Sequence, residues 1–167
     1  MVNLYAKYGW KSEKKASDAS KNQKIEFSNS LNAMLQDFPE IKVDCIIVKK
    51  ENVQPHITAD PNKLYNYMCR LVVVDHVQDE EKFDFIPDKR TIKVESGNSL
   101  SDYLQTVLWF ENRTKTTLIN KPGESHADYN LQFADWIAHC IWAHYENAEN
   151  DVFAIIGRKI KIRQLYF

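Results

Sequence analysis

The chain has 167 residues, 44% of them apolar and 27% charged, and its formal net charge is −1. That length suits one domain over 1–167, the composition excludes a disordered chain, and the near-zero charge excludes a whole-chain field that draws in nucleic acid, so any such site is a local patch. Three scattered cysteines (Cys45, Cys69 and Cys140) with no CxxC pair exclude a disulfide framework or zinc ribbon and fit a cytoplasmic setting.

In chain order, the opening MVNLYAKYGWKSEKK has no apolar signal core. Residues 11–24 are polar and lysine-rich and read as a loop running into a helix. Ile25, Phe27, Leu31, Met34, Leu35 and Phe38 recur at helical spacing, and Pro39 stops that helix. IKVDCIIVKK (41–50) is β-branched and apolar and reads as a buried strand. Asp60-Pro61 is a helix start, and Leu64, Tyr67, Met68, Leu71 and Val74 form the predicted buried stripe. Runs such as Leu71–Val74 are too short to cross a bilayer, so no membrane partner is expected. FDFIPDKRTIKVES (83–96) reads as a strand, a break at Pro87 and an extended segment. Asn98 or Ser99 caps a helix through Leu100, Tyr103, Leu104, Val107 and Leu108. TKTTLIN (114–120) is a short strand and KPGESHAD a loop. A long helix follows at 129–145, and VFAIIGRKIKIRQLYF closes the chain as a further helix and a tail. The alternation predicts an α/β domain with a mixed, mostly parallel sheet.

Two carboxylates stand out. On the 129–145 helix, Leu131, Asp135, Ala138 and Trp142 share one face. A carboxylate in an apolar stripe is costly unless paired. A buried ion pair, a helix edge turned to water, and a metal or catalytic role all account for Asp135. Asp88 follows an apolar strand, where function gathers in α/β sheets, although a turn aspartate beside a proline is also ordinary. His139, one helical turn after Asp135, completes a D-x-x-x-H pair. His56, His76, His126 and His144 form no spaced cluster. Trp10, Trp109, Trp136 and Trp142 are scattered and expected in the core. No Gly-rich phosphate loop, GxSxG or HExxH is present.

Several stretches together resemble an uncharacterised bacterial family catalogued as domain of unknown function 3800. NLQFADWIAH (130–139) resembles its LQ-x-AD-x-x-A helix. FDFIPDKRTIKVESGNSLSDYLQ (83–105) resembles its central strand, ending in an aspartate and followed by a helix. VDCIIVKKENV…NKLYNYMCRLV (43–72) resembles its strand, lysine and tyrosine-containing helix, and SEKKAS (12–17) its Glu-Lys motif. The family is similar to ribonuclease-H-like folds, in which carboxylates on strands and one helix bind divalent ions for phosphodiester chemistry.

The resemblance implies a three-layer ribonuclease-H-like domain, a nuclease or phosphoryl-transfer activity, and Mg2+ or Mn2+ as cofactor. It makes Asp88 the strand ligand, Asp135 the helix ligand and Glu13 a third acidic group. Gln132 matches a motif position, and Lys14, Lys50, Lys89 and Arg90 are expected to face nucleic acid. The chemistry needs converging oxygen donors, because two divalent ions about 3.5–4 Å apart activate water and neutralise the phosphorus centre. The family's opening D-E-S-G strand has no counterpart, and Asp18, in SDAS, cannot replace its aspartate. The sheet is therefore expected to be incomplete: another chain pairs with its bare edge, or Val2–Trp10 fold back as an edge strand. A catalytically degenerate module that binds nucleic acid or protein is the alternative function.

Overall fold

The structure is a computed structural model, and it describes residues 1–77, 79–89 and 99–165. The chain is α/β, as its alternating pattern predicts, and it divides into two compact units. One comprises Met1–Cys45 and Gly123–Ile162, the other Ile46–Pro122 and Arg163–Phe167. Arg90, Asn98 and the extended segment expected at 90–96 lie outside the described residues.

The first unit is built from helices. Helix α1 (Val2–Tyr8) buries Leu4 and Tyr5 and ends at Gly9, whose φ of 64° suits glycine. Val2–Trp10 are therefore not an edge strand, because adjacent Leu4 and Tyr5 both turn inward, which helix geometry permits and strand alternation does not. Helix α2 (Lys21–Asp37) starts with a capping box: Gln23 N–H donates to Ser20 Oγ (3.3 Å), and Ser20 N–H donates to Gln23 Oε1 (2.9 Å). It buries Phe27 and Leu31 and stops before Pro39. Helix α6 (Tyr129–Asn147) is capped by Asp128, which accepts from Asn130 N–H at 2.7 Å. It ends at Ala148 in the left-handed conformation, φ 56°. Trp136 is wholly buried and packs against Phe27, ring centroids 5.1 Å apart. Helix α7 (Asn150–Ile156) buries Val152 and Ile156.

The second unit contains α3 (Pro55–Thr58), α4 (Pro61–Val77), and β2 (Lys82–Phe85) and β3 (Thr117–Asn120) flanking α5 (Ser99–Thr106). Asp60 caps α4 by accepting from Asn62 N–H at 3.0 Å. Strands β2 and β3 are parallel, with Lys82 opposite Thr117 and Phe85 opposite Asn120. One core gathers Val74 and Val77 of α4 with Leu104, Val107 and Leu108, and Phe83, Phe85 and Leu118 pack on it from the sheet. Each of these side chains, when fully buried, contributes about 1.5–3 kcal/mol of transfer free energy. After α5 the chain widens into a π-helical turn, Val107–Glu111. The Gln105 carboxamide bonds β3 on the side away from β2, donating to Thr116 O (2.9 Å) and accepting from Leu118 N–H (2.7 Å). A side chain thus satisfies backbone groups that a further strand would otherwise take.

The remaining strands, β1 (Asp44–Val48) and β4 (Lys161–Leu165), pair with each other. The expected C-terminal tail is thus a strand after α7; the alternation K-I-K-I-R carried that signal. Arg163 anchors β4 by donating to Leu71 O and Asp75 Oδ2, both at 3.1 Å. In place of one continuous sheet, the described residues form two two-stranded sheets. Strand β1 is half-buried along its length, less enclosed than its apolar run predicts. Tyr67, placed in the α4 stripe, is 37% exposed. Among the described residues no helix is long and apolar enough to cross a membrane.

Candidate functional site

In the second unit, β2 runs out through Ile86 and half-buried Pro87 to Asp88, which is exposed. Asp84, the penultimate residue of β2, is committed to Lys121, Nζ to Oδ2 2.6 Å. Asp88 has no ion-pair partner among the described residues, so its carboxylate faces solvent beyond the carboxyl end of a parallel pair. Lys89 and Lys50 are also exposed, Lys50 in the 3-10 turn Lys50–Asn52. Arg90 lies outside the described residues.

Asp135 belongs to the first unit, and its stripe is not the buried one: the account that fits is the helix edge turned to water. It is exposed, as are Ala138 and Trp142, the latter at 51%. Helix α6 is apolar around most of its circumference. The side it buries carries Gln132, Trp136, Ile137, Cys140 and Ile141, which offers more contact surface than Leu131, Ala138 and Trp142. Trp109, also expected in the core, is 47% exposed, although its indole N–H donates to Thr116 O at 3.0 Å.

One turn beyond Asp135, His139 is half-buried and its Nε2 lies 3.2 Å from Lys24 Nζ. An ammonium has only donors, so the imidazole accepts at Nε2 and carries its proton on Nδ1. Burial lowers the His139 pKa from its ordinary 6.5, and the Lys24 charge lowers it further; Glu149 and Asp135 act in the opposite sense. Lys24 is 3.9 Å from Glu149, and the two border a cavity of about 440 Å³ lined also by Lys21 and residues 150–152. Neither Lys24 nor Glu149 gave a sequence signal, because α2 and the α6–α7 turn meet only in the fold.

The Glu-Lys motif and the LQ-x-AD helix are brought together. Gln132, 3% exposed, accepts from Tyr5 OH and donates to Ser125 O, both at 2.6 Å. Trp136 Nε1–H donates to Lys14 O at 2.7 Å, and Lys14 N–H donates to Tyr5 OH at 3.0 Å. Gln132 and Trp136 thus hold the 13–14 backbone against α6. Glu13 is engaged locally, its Oε1 2.6 Å from Lys15 Nζ. That hydrogen bond lowers its carboxyl pKa, burial opposes it, and the Ser125 side chain and His126 add to the lowering. Among the described residues, no three His, Cys, Asp or Glu side chains form a group able to hold a metal. Burial pushes the thiols of Cys45 and Cys140 up to about 11, which removes both as nucleophiles at neutral pH.

The chain was compared with known protein families, curated proteins and solved structures, and none matches it.

Proposed function

We propose that the chain is a ribonuclease-H-like domain of the family it resembles, and that Asp135 in the first unit and Asp88 in the second are each carboxylate ligands for Mg2+ or Mn2+ in phosphodiester chemistry on nucleic acid. One observation carries the reading. Both carboxylates are exposed and neither has an ion-pair partner among the described residues, whereas Asp84, Glu13 and Asp75 are each paired with a cation. Solvent-facing carboxylate oxygens suit a hard divalent ion that keeps part of its water shell. A bound ion would supply charge neutralisation at phosphorus and a more acidic water. The chain's own contribution is positional. Asp128 and Gln132 fix the first turn of α6, which precedes the turn that carries Asp135, and the β2–β3 register fixes the strand end that precedes Asp88. Lys14, Lys50, Lys89 and Arg90 would supply phosphate contacts; the near-zero net charge is no obstacle, since phosphate contacts are made residue by residue.

Titration of the full chain with Mn2+ by calorimetry tests this. Binding is expected, with Asp88→Asn and Asp135→Asn each weakening it at least tenfold. Because both side chains are exposed, each variant should keep its stability to within about 0.5 kcal/mol. Equal Mn2+ affinity in both variants and the parent would overturn the reading. Metal binding without metal-dependent cleavage of a labelled oligonucleotide would leave the degenerate binding module in its place.

A further inference from the structure

The cavity between α2 and the α6–α7 turn takes no part in the metal reading, and the charges on its lining are only half matched. Lys21 and Asp151 are in direct contact and satisfy one another. Lys24 and Glu149 do not: their charged atoms stand 3.9 Å apart, beyond hydrogen-bond reach. The Lys24 side chain is only 12% exposed. Its ammonium carries three donors, yet it has one hydrogen-bond acceptor among the described residues, the His139 imidazole at 3.2 Å. An enclosed donor without an acceptor is costly. Glu149 occupies the N-cap position of α7, but its side chain makes no capping bond. Lys24 is its one ion-pair partner among the described residues.

This pattern selects a ligand. Two ammoniums and two carboxylates line the cavity, so a simple anion meets two carboxylates there and a simple cation two ammoniums. A molecule that carries both charges side by side avoids both penalties. In an α-amino acid the ammonium nitrogen and the carboxylate oxygens lie about 3 Å apart, as its bond lengths require. Laid antiparallel to the Lys24–Glu149 pair, such a head accepts from Lys24 with its carboxylate and donates to Glu149 with its ammonium. Both contacts are charge-assisted hydrogen bonds, which are among the stronger kind. The cavity volume, about 440 Å³, is that of a small-molecule site, and Ala148 and Val152 give the ligand's side chain an apolar wall. We propose that this cavity binds a free α-amino acid with an apolar side chain, held by its charged head between Lys24 and Glu149. The proposal goes beyond the metal reading and does not depend on it, because neither Asp88 nor Asp135 lines the cavity.

Calorimetric titration of the full chain with L-leucine tests it, in EDTA so that metal binding plays no part. Saturable binding of one leucine per chain is expected. Leucine without its amine (4-methylpentanoate), leucine without its carboxylate (3-methylbutylamine) and inorganic phosphate should each bind at least tenfold more weakly. Glu149→Gln keeps the shape of an exposed side chain and should weaken leucine at least tenfold while leaving the thermal midpoint of the free protein nearly unchanged. Lys24→Met should do the same to binding, and the Glu149 variant carries the test if that more enclosed substitution disturbs folding. Leucine should also displace the His139 ring resonances in NMR spectra, through Lys24, and leave those of His56 in place. The proposal is overturned by an absence of saturable leucine binding, or by equal leucine affinity in Glu149→Gln and the parent. It is equally overturned if 4-methylpentanoate or phosphate binds as tightly as leucine, which would make Lys24 a simple anion site, or if leucine binds and the His139 resonances stay unmoved.

Discussion

At the scale of single residues, the first unit's chemistry turns on how α6 shares its polar side chains between structure and solvent. Gln132 is spent on structure: both ends of its carboxamide are bonded in a buried setting, where it holds Tyr5 and Ser125. Asp135 is left to water. His139 lies between these cases and gives a pH prediction. Its folded pKa is below 6.5, so in the window just below 6.5 the unfolded chain binds more protons than the folded one. Its contribution to stability is therefore fully present above pH 6.5 and declines as pH falls through the folded value. His139→Gln keeps an acceptor for Lys24 and removes the titration. Thermal midpoints between pH 7 and pH 5 should fall less for the variant than for the parent. Parallel curves would show that His139 is not the group responsible.

At the scale of elements, the termini of α6 differ in quality. Asp128 is a favourable N-cap, whereas Ala148 holds φ 56°, a conformation that costs a residue with a Cβ about 1–2 kcal/mol. Glycine escapes that strain but loses more freedom on folding. Ala148→Gly should therefore raise stability modestly, by up to about 1 kcal/mol, in denaturant titration; a lower midpoint would mean that the alanine methyl supplies contacts worth more than the strain. Local signals were legible for most helices. Asp60 before Pro61 and Pro39 after α2 mark boundaries through backbone chemistry that neighbouring residues decide. Long-range choices were not legible. The α6 pattern offered two apolar sides, and which one is buried depends on Phe27 of α2, more than a hundred residues away. The N-terminal helix was missed because seven residues hold too few turns to show a period. The β4 tail was missed because its alternation is half-masked by lysines. Asp88 and Asp135 could be singled out by their settings, while the Lys24–His139 contact rests on tertiary placement alone.

At the scale of the whole molecule, the net charge of −1 sets the terms on which nucleic acid can bind. No general field assists, so affinity has to come from a few local cations and should be steep in salt. Binding of a labelled single-stranded oligonucleotide should weaken strongly between about 50 and 200 mM salt, with a log–log slope near −0.7 for each phosphate neutralised. A flat response would remove the lysines as phosphate contacts. The two units also differ in make-up: the first is helical, with its polar core contacts gathered on α6, and the second is a strand–helix–strand arrangement around an apolar core.

The threading of the chain through those units has a consequence in time. The first unit needs residues 1–45 together with 123–162, whereas all of the second except its last short piece is the unbroken run 46–122. Translation delivers residues in order. The core of Val74, Val77, Leu104, Val107 and Leu108 is thus fully synthesised while α1 and α2 still wait for Trp136. During synthesis the core of the second unit should therefore close first, with Phe27 and Leu31 exposed until α6 emerges. The interval in which Phe27 and Leu31 stand uncovered is therefore set by the stretch of message between the codons of α2 and those of α6.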